Sequence, residues 1–413
     1  MRIVVLDCFT RMGMSVINGL DRSYELVGGA AGERGTLLRG VDRFLRSPRL
    51  SDVFGYPPAN VNTPAFQAAI LDACERYRPD AVFPASTASA HALARLRQEI
   101  GAEIGTTFVI DEYDRLIQLA DKWRLYELCV KLGIPAPLTV LPAEGVDLVG
   151  LLGLPVVVKP RIGEGSKGMR IARTAEELDA LITAPRRVGA VPDSGHPYIA
   201  QEFVHAEIHN VGACTLEGRA LSMMTQQRVL TRYEFGGTGF VHTTTFEPEI
   251  MEYGEALLSD LAWSGPVLLE FLRDDEGRYR LIDGNPRVWT STELTIAAGM
   301  NVCQQAVDMF VLGREPAAVS GYPVGLTLRW LSVGSIACCF RRPRRPAAVW
   351  SRLRVLLAPR RPGTTFTNLR LGNIRHLAGL TLRHLLAQRS SARSAGREDV
   401  RAEASFAARE DAR

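Results

Sequence analysis

The sequence predicts an α/β region followed by an α+β region, and three observations predict it. Short β-branched runs alternate with helical periods in the N-terminal part; a β-branched strand then enters a glycine-rich loop at residues 155–168; and two apolar strands flank an acidic turn at residues 267–283. Alternation of strand and helix implies a parallel sheet with crossover helices, whereas strands joined by tight turns pair antiparallel.

Residues 3–6 form a short apolar strand, residues 10–15 a turn, and Val16, Ile17 and Leu20 follow at helical spacing. The strand signal returns at residues 24–28, an amphipathic helix covers 65–77, and residues 80–84 form a strand ending at Pro84. Gly13 sits where a dinucleotide fingerprint would begin, but Gly-x-Gly-x-x-Gly is absent and no acidic residue is placed for a ribose hydroxyl. A second helical pattern spans 112–132 with Asp121-Lys122 in its middle, and Gly133, Pro135 and Pro137 stop it. Residues 155–160 are the strand before the glycine loop, and Thr174 and Glu177 open a helix to 182 at capping-box spacing. Strands are expected at 198–205, 210–215 and 220–225, the last two joined at Glu217-Gly218-Arg219, then a helix over 248–263. The strands at 267–271 and 279–283 enclose Asp274-Asp275-Glu276-Gly277 and form a hairpin.

With 413 residues, 46% of them hydrophobic, the chain can bury more than one core, which excludes wholesale disorder. The seven cysteines are scattered, with no CxxC pair, and fit a reduced, cytoplasmic set. The N-terminus lacks the features of a secretory signal, and the best membrane candidate, residues 330–340, is about half of the ~20 apolar residues that a span requires. Net charge is only +4, yet residues 341–390 contain many arginines and no Asp or Glu. The run 341–346 and helical patterns at 350–357 and 374–386 make a basic, partly amphipathic C-terminal region. A docked helical appendage, peripheral contact with an anionic membrane and an acidic partner all fit it; few interleaved aromatics argue against nucleic acid. From about residue 390 the composition is that of a disordered tail.

Gly163, Gly165 and Gly168 lack β-carbons, so backbone N–H groups around them can approach phosphate oxygens, with Ser166 as a hydroxyl donor and Lys159 as a point charge. A P-loop is absent. In the hairpin, antiparallel pairing brings Glu270 beside Asp283 and Asn285, which share a face, so three oxygen donors converge as magnesium in nucleotide sites prefers. Arg287 is placed to neutralise a transferring phosphoryl group or an acyl phosphate, and Arg228 to clamp a substrate carboxylate with paired hydrogen bonds. His242 reads as a packed or surface residue rather than a base. Trp289, Thr290, Ser291 and Glu293 are candidates for an acceptor pocket, with Ser291 equally placed to cap a helix.

Lys122, Lys159, the loop 163–168, the segment 201–204 with Glu207, and Glu270 with Asp283-Gly284-Asn285-Pro286-Arg287 occur in an order that resembles the ATP-grasp superfamily. The pattern is most similar to its carbamoyl-phosphate synthetase and biotin carboxylase branch, especially stand-alone carboxylate–amine ligases, over roughly residues 1–316. The resemblance implies an ATP-grasp fold: a parallel-sheet pre-ATP-grasp domain at 1–115, a lid subdomain at 116–192 and a large subdomain at 193–316, before a basic region at 317–389 and a tail at 390–413. It implies ATP with one or two Mg2+ (or Mn2+), and Lys122 and Lys159 on phosphates under the loop. It further implies that Glu202 and the Val204 backbone meet the adenine, that Glu207 meets the ribose, that Glu270, Asp283 and Asn285 hold metal, and that Arg287 faces the activated carboxylate. Such ligases usually carry Glu at Asp283 and an apolar residue at Gly284.

The expected reaction couples a small-molecule carboxylate to an amine through an acyl phosphate, forming ADP; phosphoryl transfer asks for positioning and charge neutralisation rather than a protein nucleophile. The loop and the stretch 232–238 are expected to close over the site. A carboxylase or phosphotransferase on the same scaffold and a catalytically weakened ATP-binding regulator are the competing readings. A homodimer is compatible with the sequence, and nucleic acid is not an expected partner.

Overall fold

The computed structural model describes residues 1–31, 47–57, 63–100, 104–143, 145–183, 196–233, 236–340, 346–358 and 364–366. The arginine run at 341–345, the helix expected over 374–386 and the tail from 390 lie outside the described residues.

The N-terminal region holds β1 (Arg2–Val5), α1 (Arg11–Gly19), β2 (Glu25–Ala31), β3 (Leu50–Tyr56), α2 (Thr63–Tyr77), β4 (Ala81–Phe83), α3 (Thr87–Ile100) and β5 (Thr107–Phe108). They form a five-stranded sheet of order β3-β2-β1-β4-β5, parallel throughout. Helices on both faces explain why Ile3, Val4, Val5, Val82 and Phe83 are all buried. The chain steps outward from β1 and returns to β4 on its other side. The crevice beyond these two strand ends is therefore a topological switch point, where open α/β sheets place ligands. Asp7 and Thr87 follow β1 and β4 there.

The helical pattern at 112–132 resolves into α4 (Tyr113–Ala120) and α5 (Lys122–Leu132), broken at Asp121, whose side chain caps α5 by accepting from the Trp123 N–H. Next come β6 (Thr139–Val140), α6 (Leu148–Leu152), β7 (Val156–Pro160), β8 (Arg170–Ala172), α7 (Ala175–Thr183) and β9 (Tyr198–Glu202). The four strands form an antiparallel sheet of order β6-β9-β7-β8. Val156 and Val158 pack inward with Leu148, Leu178 and Ala200. Strand alternation then sends Val157 and Lys159 to the opposite face.

The large sheet contains β10 (Ala206–Leu216), β11 (Arg219–Tyr233), β12 (Gly236–Thr245), β13 (Gly265–Asp274), β14 (Tyr279–Asn285), β15 (Thr327–Arg329) and β16 (Thr364–Phe366), in the order β14-β13-β10-β11-β12-β15-β16. Of the stretch expected to close over the site, 232–238, residues 232–233 end β11 and residues 236–238 begin β12, which pairs with it. α8 (Pro248–Asp260) covers one face: Ile250, Leu257 and Leu258 pack on Val211, Leu269 and Phe271. Each such side chain contributes about 1.5–3 kcal/mol on full burial. Glu270, between Leu269 and Phe271, therefore points to the other face. α9 (Thr292–Ala297), α10 (Val302–Phe310), α11 (Val333–Phe340) and α12 (Pro346–Leu357) complete the described chain. The chain beyond residue 316 docks on the large sheet through β15, which pairs with β12. All seven cysteines are buried, and none is in a disulfide. Among the described residues no helix is long and apolar enough to cross a membrane.

Candidate active site

Two lysines come together from different elements because a buried ion pair joins those elements. Arg161, just past β7, donates to both carboxylate oxygens of Asp121 (Nε–Oδ1 3.0 Å, Nη2–Oδ2 2.5 Å), and the Lys122 N–H donates to the Arg161 carbonyl oxygen at 3.0 Å. Removing one partner of such a pair typically costs about 3–5 kcal/mol. Neither residue had an expected role from the sequence, Asp121 entering only as part of a helical pattern; the signal available was an acid immediately before Lys122 and an arginine two after Lys159. Lys122 Nζ lies 3.1 Å from Asp283 Oδ1, and Lys159 Nζ donates to the Ile282 carbonyl oxygen at 3.2 Å. Burial, then the neighbouring Lys122 charge, lower the Lys159 pKa to about 8, against the pull of Asp283 and Glu270. Its ammonium is thus under-compensated, the condition in which an arriving anion gains most.

The acidic hairpin has the expected register: Glu270 opposite Asp283 and Leu268 opposite Asn285. Glu270 Oε1 is 3.0 Å from Arg228 Nη2 and accepts from Asn285 Nδ2 at 3.3 Å, while Asn285 Oδ1 accepts from Arg287 Nη2 at 2.8 Å. Burial raises the Asp283 pKa, with Glu270 acting in the same direction and the two lysines opposing. Two carboxylates and an amide oxygen suit a hard divalent cation completed by phosphate and water. Among the described residues no cluster of three or more His, Cys, Asp or Glu side chains could hold an ion by itself. The unusual Gly284 has a packing cause: a Cβ there would sit 2.5 Å from the Leu119 carbonyl oxygen at the end of α4.

The glycine loop lies across this acid face. Gly165, Ser166 and Gly168 adopt φ of 63°, 58° and 77°, a left-handed path that glycine takes without steric cost. The Ser166 hydroxyl, expected as a donor toward phosphate, accepts from the Gly237 N–H at 3.0 Å and ties the loop to β12. Glu164 reaches further, to Arg287 Nη2 at 3.3 Å and the Thr87 N–H at 3.2 Å. Burial would raise its pKa, but Arg287, Lys167 and the Thr87 hydrogen bonds outweigh that and lower it to about 2. Glu164 and Thr87 were not among the expected site residues. An acid inside a loop otherwise built to receive phosphate was the available signal for Glu164; Thr87 carried none.

Beneath the loop, a cavity of about 80 Å³ is lined by Lys122, Lys159, Gly163, Glu164, Glu270 and Asp283. A neighbouring cavity of about 330 Å³, which shares Lys159, Arg228 and Ile282 in its wall, is lined by Val157, Ile171, Phe203, Val204 and Leu272. Glu202 and Glu207 also line it. The Glu202 carboxylate is engaged by Arg280 Nη1 at 2.9 Å and the Leu138 N–H at 3.1 Å, and Glu207 accepts from Gln227 Nε2 at 3.0 Å. Arg228 also donates to the Gly237 carbonyl oxygen at 3.0 Å, so its guanidinium is held among groups of this chain. His242 is buried, and burial lowers its pKa to about 3, which leaves it neutral. Trp289 is buried over Gly212; Ser291 accepts from Gln226 Nε2 at 2.8 Å and makes no capping bond to α9; Glu293 accepts from Asn18 Nδ2 at 2.6 Å.

Residues 119–291 match the ATP-grasp domain family. Among curated proteins it is 27% identical over 235 residues to biotin carboxylase 1 of Bacillus subtilis, covering 51% of this chain and 50% of the relative. It is 26% identical over 227 residues to the C-terminal section of the carbamoyl phosphate synthase large chain of Methanopyrus kandleri, covering 52% and 41%. It is also 24% identical over 206 residues to pyruvate carboxylase of Schizosaccharomyces pombe, covering 47% and 17%. The chain thus spans half or less of these relatives' length. Among solved structures, biotin carboxylase of Campylobacter jejuni in complex with β-γ-ATP superposes with TM-score 0.62 at 12% identity, covering 79% of this chain and 74% of that one. The biotin carboxylase domain of Hydrogenobacter thermophilus 2-oxoglutarate carboxylase, with MgADP, ADP and bicarbonate, gives 0.61 at 17% identity, covering 79% and 73%. The fold is that of the ATP-grasp enzymes.

Proposed function

We propose that this chain is an ADP-forming ligase that activates a carboxylate with ATP and Mg2+ and couples it to an amine. The observation that carries the proposal is the facing of Lys122 and Lys159 against Glu270 and Asp283 around one cavity under the glycine loop, with Asn285 hydrogen-bonded to Glu270. Bound ATP and Mg2+ supply a transferable phosphoryl group, so that the carboxylate becomes an acyl phosphate with a good leaving group. Lys122 and Lys159 neutralise phosphate charge from the lid side, and Glu270, Asp283 and Asn285 would hold the cation. The apolar cavity with Phe203 and the Val204 backbone receives the adenine, and Glu207 the ribose. Arg287 orients the carboxylate. The loop at 163–168, pinned by Ser166 to Gly237, excludes water from an intermediate that hydrolyses readily. Holding two reactants in attack geometry is worth about 7–11 kcal/mol, which explains how a site without a protein nucleophile can suffice. The three sheets support separate N-terminal, lid and large units.

A carboxylase is the second reading, favoured by the biotin carboxylase relatives. Hydroxylamine trapping separates the two: with ATP, Mg2+ and a panel of organic carboxylates, a ligase yields a hydroxamate with one of them. ATP hydrolysis stimulated by bicarbonate alone, with no hydroxamate from any organic acid, would replace ligation by carboxylation.

A further inference from the structure

We propose that Glu164 of the glycine loop is an internal carboxylate that fills the Arg287–Thr87 cradle in the free protein and that substrate must displace. The inference rests on the reading above, which already puts the carboxylate at Arg287, and adds to it a built-in competitor at that site.

The cradle is built independently of Glu164. Arg287 is 7% exposed, and each guanidinium nitrogen has another acceptor: Nε the Thr87 hydroxyl oxygen at 2.8 Å, Nη1 the Val288 carbonyl oxygen at 2.8 Å and the Met12 sulfur at 3.3 Å, Nη2 the Asn285 Oδ1 at 2.8 Å. The guanidinium plane is therefore fixed, and the edge of Nη2 is what it offers. Thr87 adds its backbone N–H and its hydroxyl, which also bonds to the Glu164 side chain. That N–H opens the 14-residue helix α3, whose N-terminal partial positive charge favours an anion. A charged donor on one element and a helix start on another converge on one carboxylate oxygen, a geometry suited to RCOO⁻.

Position ties this cradle to the chemistry. Arg287 hydrogen bonds to Asn285, a member of the acid face, and Glu164 lines the same small cavity as Lys122, Lys159, Glu270 and Asp283. A carboxylate seated here lies beside the place where phosphate would lie, which in-line transfer requires. Glu164 differs from a substrate in one respect: it is tethered to a loop. When that loop shifts, the carboxylate leaves with it and the cradle is exposed. Glu164 thus protects a buried arginine from being left uncompensated in the free protein and competes with the substrate.

Vacating the cradle by Glu164→Ala should let a free small carboxylate bind there. Sodium acetate, compared with sodium chloride at equal ionic strength, is expected to raise the thermal midpoint of Glu164→Ala saturably, by about 2 °C or more at concentrations well above Kd. It should do so for neither the wild type nor Glu164→Ala/Thr87→Val. Sodium bicarbonate in a parallel arm distinguishes an organic acid from bicarbonate as the natural occupant. If Glu164→Ala does not fold, Glu164→Gln, which keeps the shape and drops the charge, is titrated in the same way. Equal responses of the variant and the wild type to acetate would overturn the subsite, even with hydroxamate formed by the wild type. Acetate rescue without any hydroxamate would leave the subsite standing and remove the ligase reading instead. Where a carboxylate substrate is found, its KM should fall at least threefold in Glu164→Ala with the KM for ATP changed less than twofold; an unchanged carboxylate KM counts against the proposal.

Discussion

On the sheet side of the cleft, Glu270, Asp283 and Asn285 stand on two strands of a seven-stranded sheet, backed by α8 and pressed at Gly284 against the end of α4. On the lid side, residues 163–168 cross the same cavity with left-handed φ at Gly165, Ser166 and Gly168, and are anchored through Ser166 to Gly237 and through Glu164 to Arg287 and Thr87. One wall is fixed by packing, the other by a few polar contacts that a ligand can replace. The difference fits the proposed roles: a cation site needs oxygen donors in place beforehand, whereas a cover over a bulky triphosphate must open.

The sharpest way to break the fixed wall is Gly284→Ala. The new methyl would meet a backbone carbonyl that cannot rotate away, so a loss of about 2–4 kcal/mol is expected in urea denaturation, with loss of nucleotide turnover. An unchanged midpoint would show that α4 does not bear on β14.

Lys159→Met should abolish turnover yet stabilise the unliganded protein. Its folded-state pKa, about 8, lies below the ordinary value of 10.5, so between these the unfolded chain binds more protons and wild-type stability rises with pH. The variant's advantage, on the order of 1–3 kcal/mol, is therefore full below about pH 8 and vanishes toward pH 10.5. Urea denaturation at neutral and alkaline pH checks the sign. Less stability at neutral pH would make the lysine a structural residue.

Asp283→Asn tests the cation directly. It keeps an oxygen donor and removes a charge, so the Mg2+ concentration for half-maximal ATP turnover should rise several-fold; an unaltered metal titration would remove Asp283 from the set. The smallest effect belongs to the lid wall. Ser166→Ala should cost less than about 1 kcal/mol and raise the KM for ATP two- to threefold, without altering the Mg2+ dependence.

Much of this was legible because local pattern and tertiary role coincide. The Glu270–Asp283 register follows from a short turn between two apolar strands, and Lys159 from alternation along a strand with valines on its other face. What was hidden depends on elements distant in the chain. The break at Asp121 interrupts a run that is helical by period, and its cause is Arg161, forty residues on. Gly284 read as a departure because the carbonyl it accommodates belongs to Leu119. Ser166 and Glu164 looked like parts of a phosphate loop, but their partners, Gly237, Thr87 and Arg287, come from three other segments. The strand pairing of β12 was missed because Gly236, Gly237 and Gly239 mimic a loop in composition while lying on a paired strand.

The central claim is that triphosphate and divalent cation are gripped jointly by the Lys159 strand with its loop and by the acidic hairpin. Hydrogen–deuterium exchange with a non-hydrolysable ATP analogue, with and without Mg2+, tests it most directly. The expected result is simultaneous protection of residues 163–168 and of β13–β14, dependent on Mg2+ and absent in Lys159→Met. Nucleotide binding that protects neither segment, or protects the loop identically without Mg2+ and leaves the hairpin unchanged, would contradict the account.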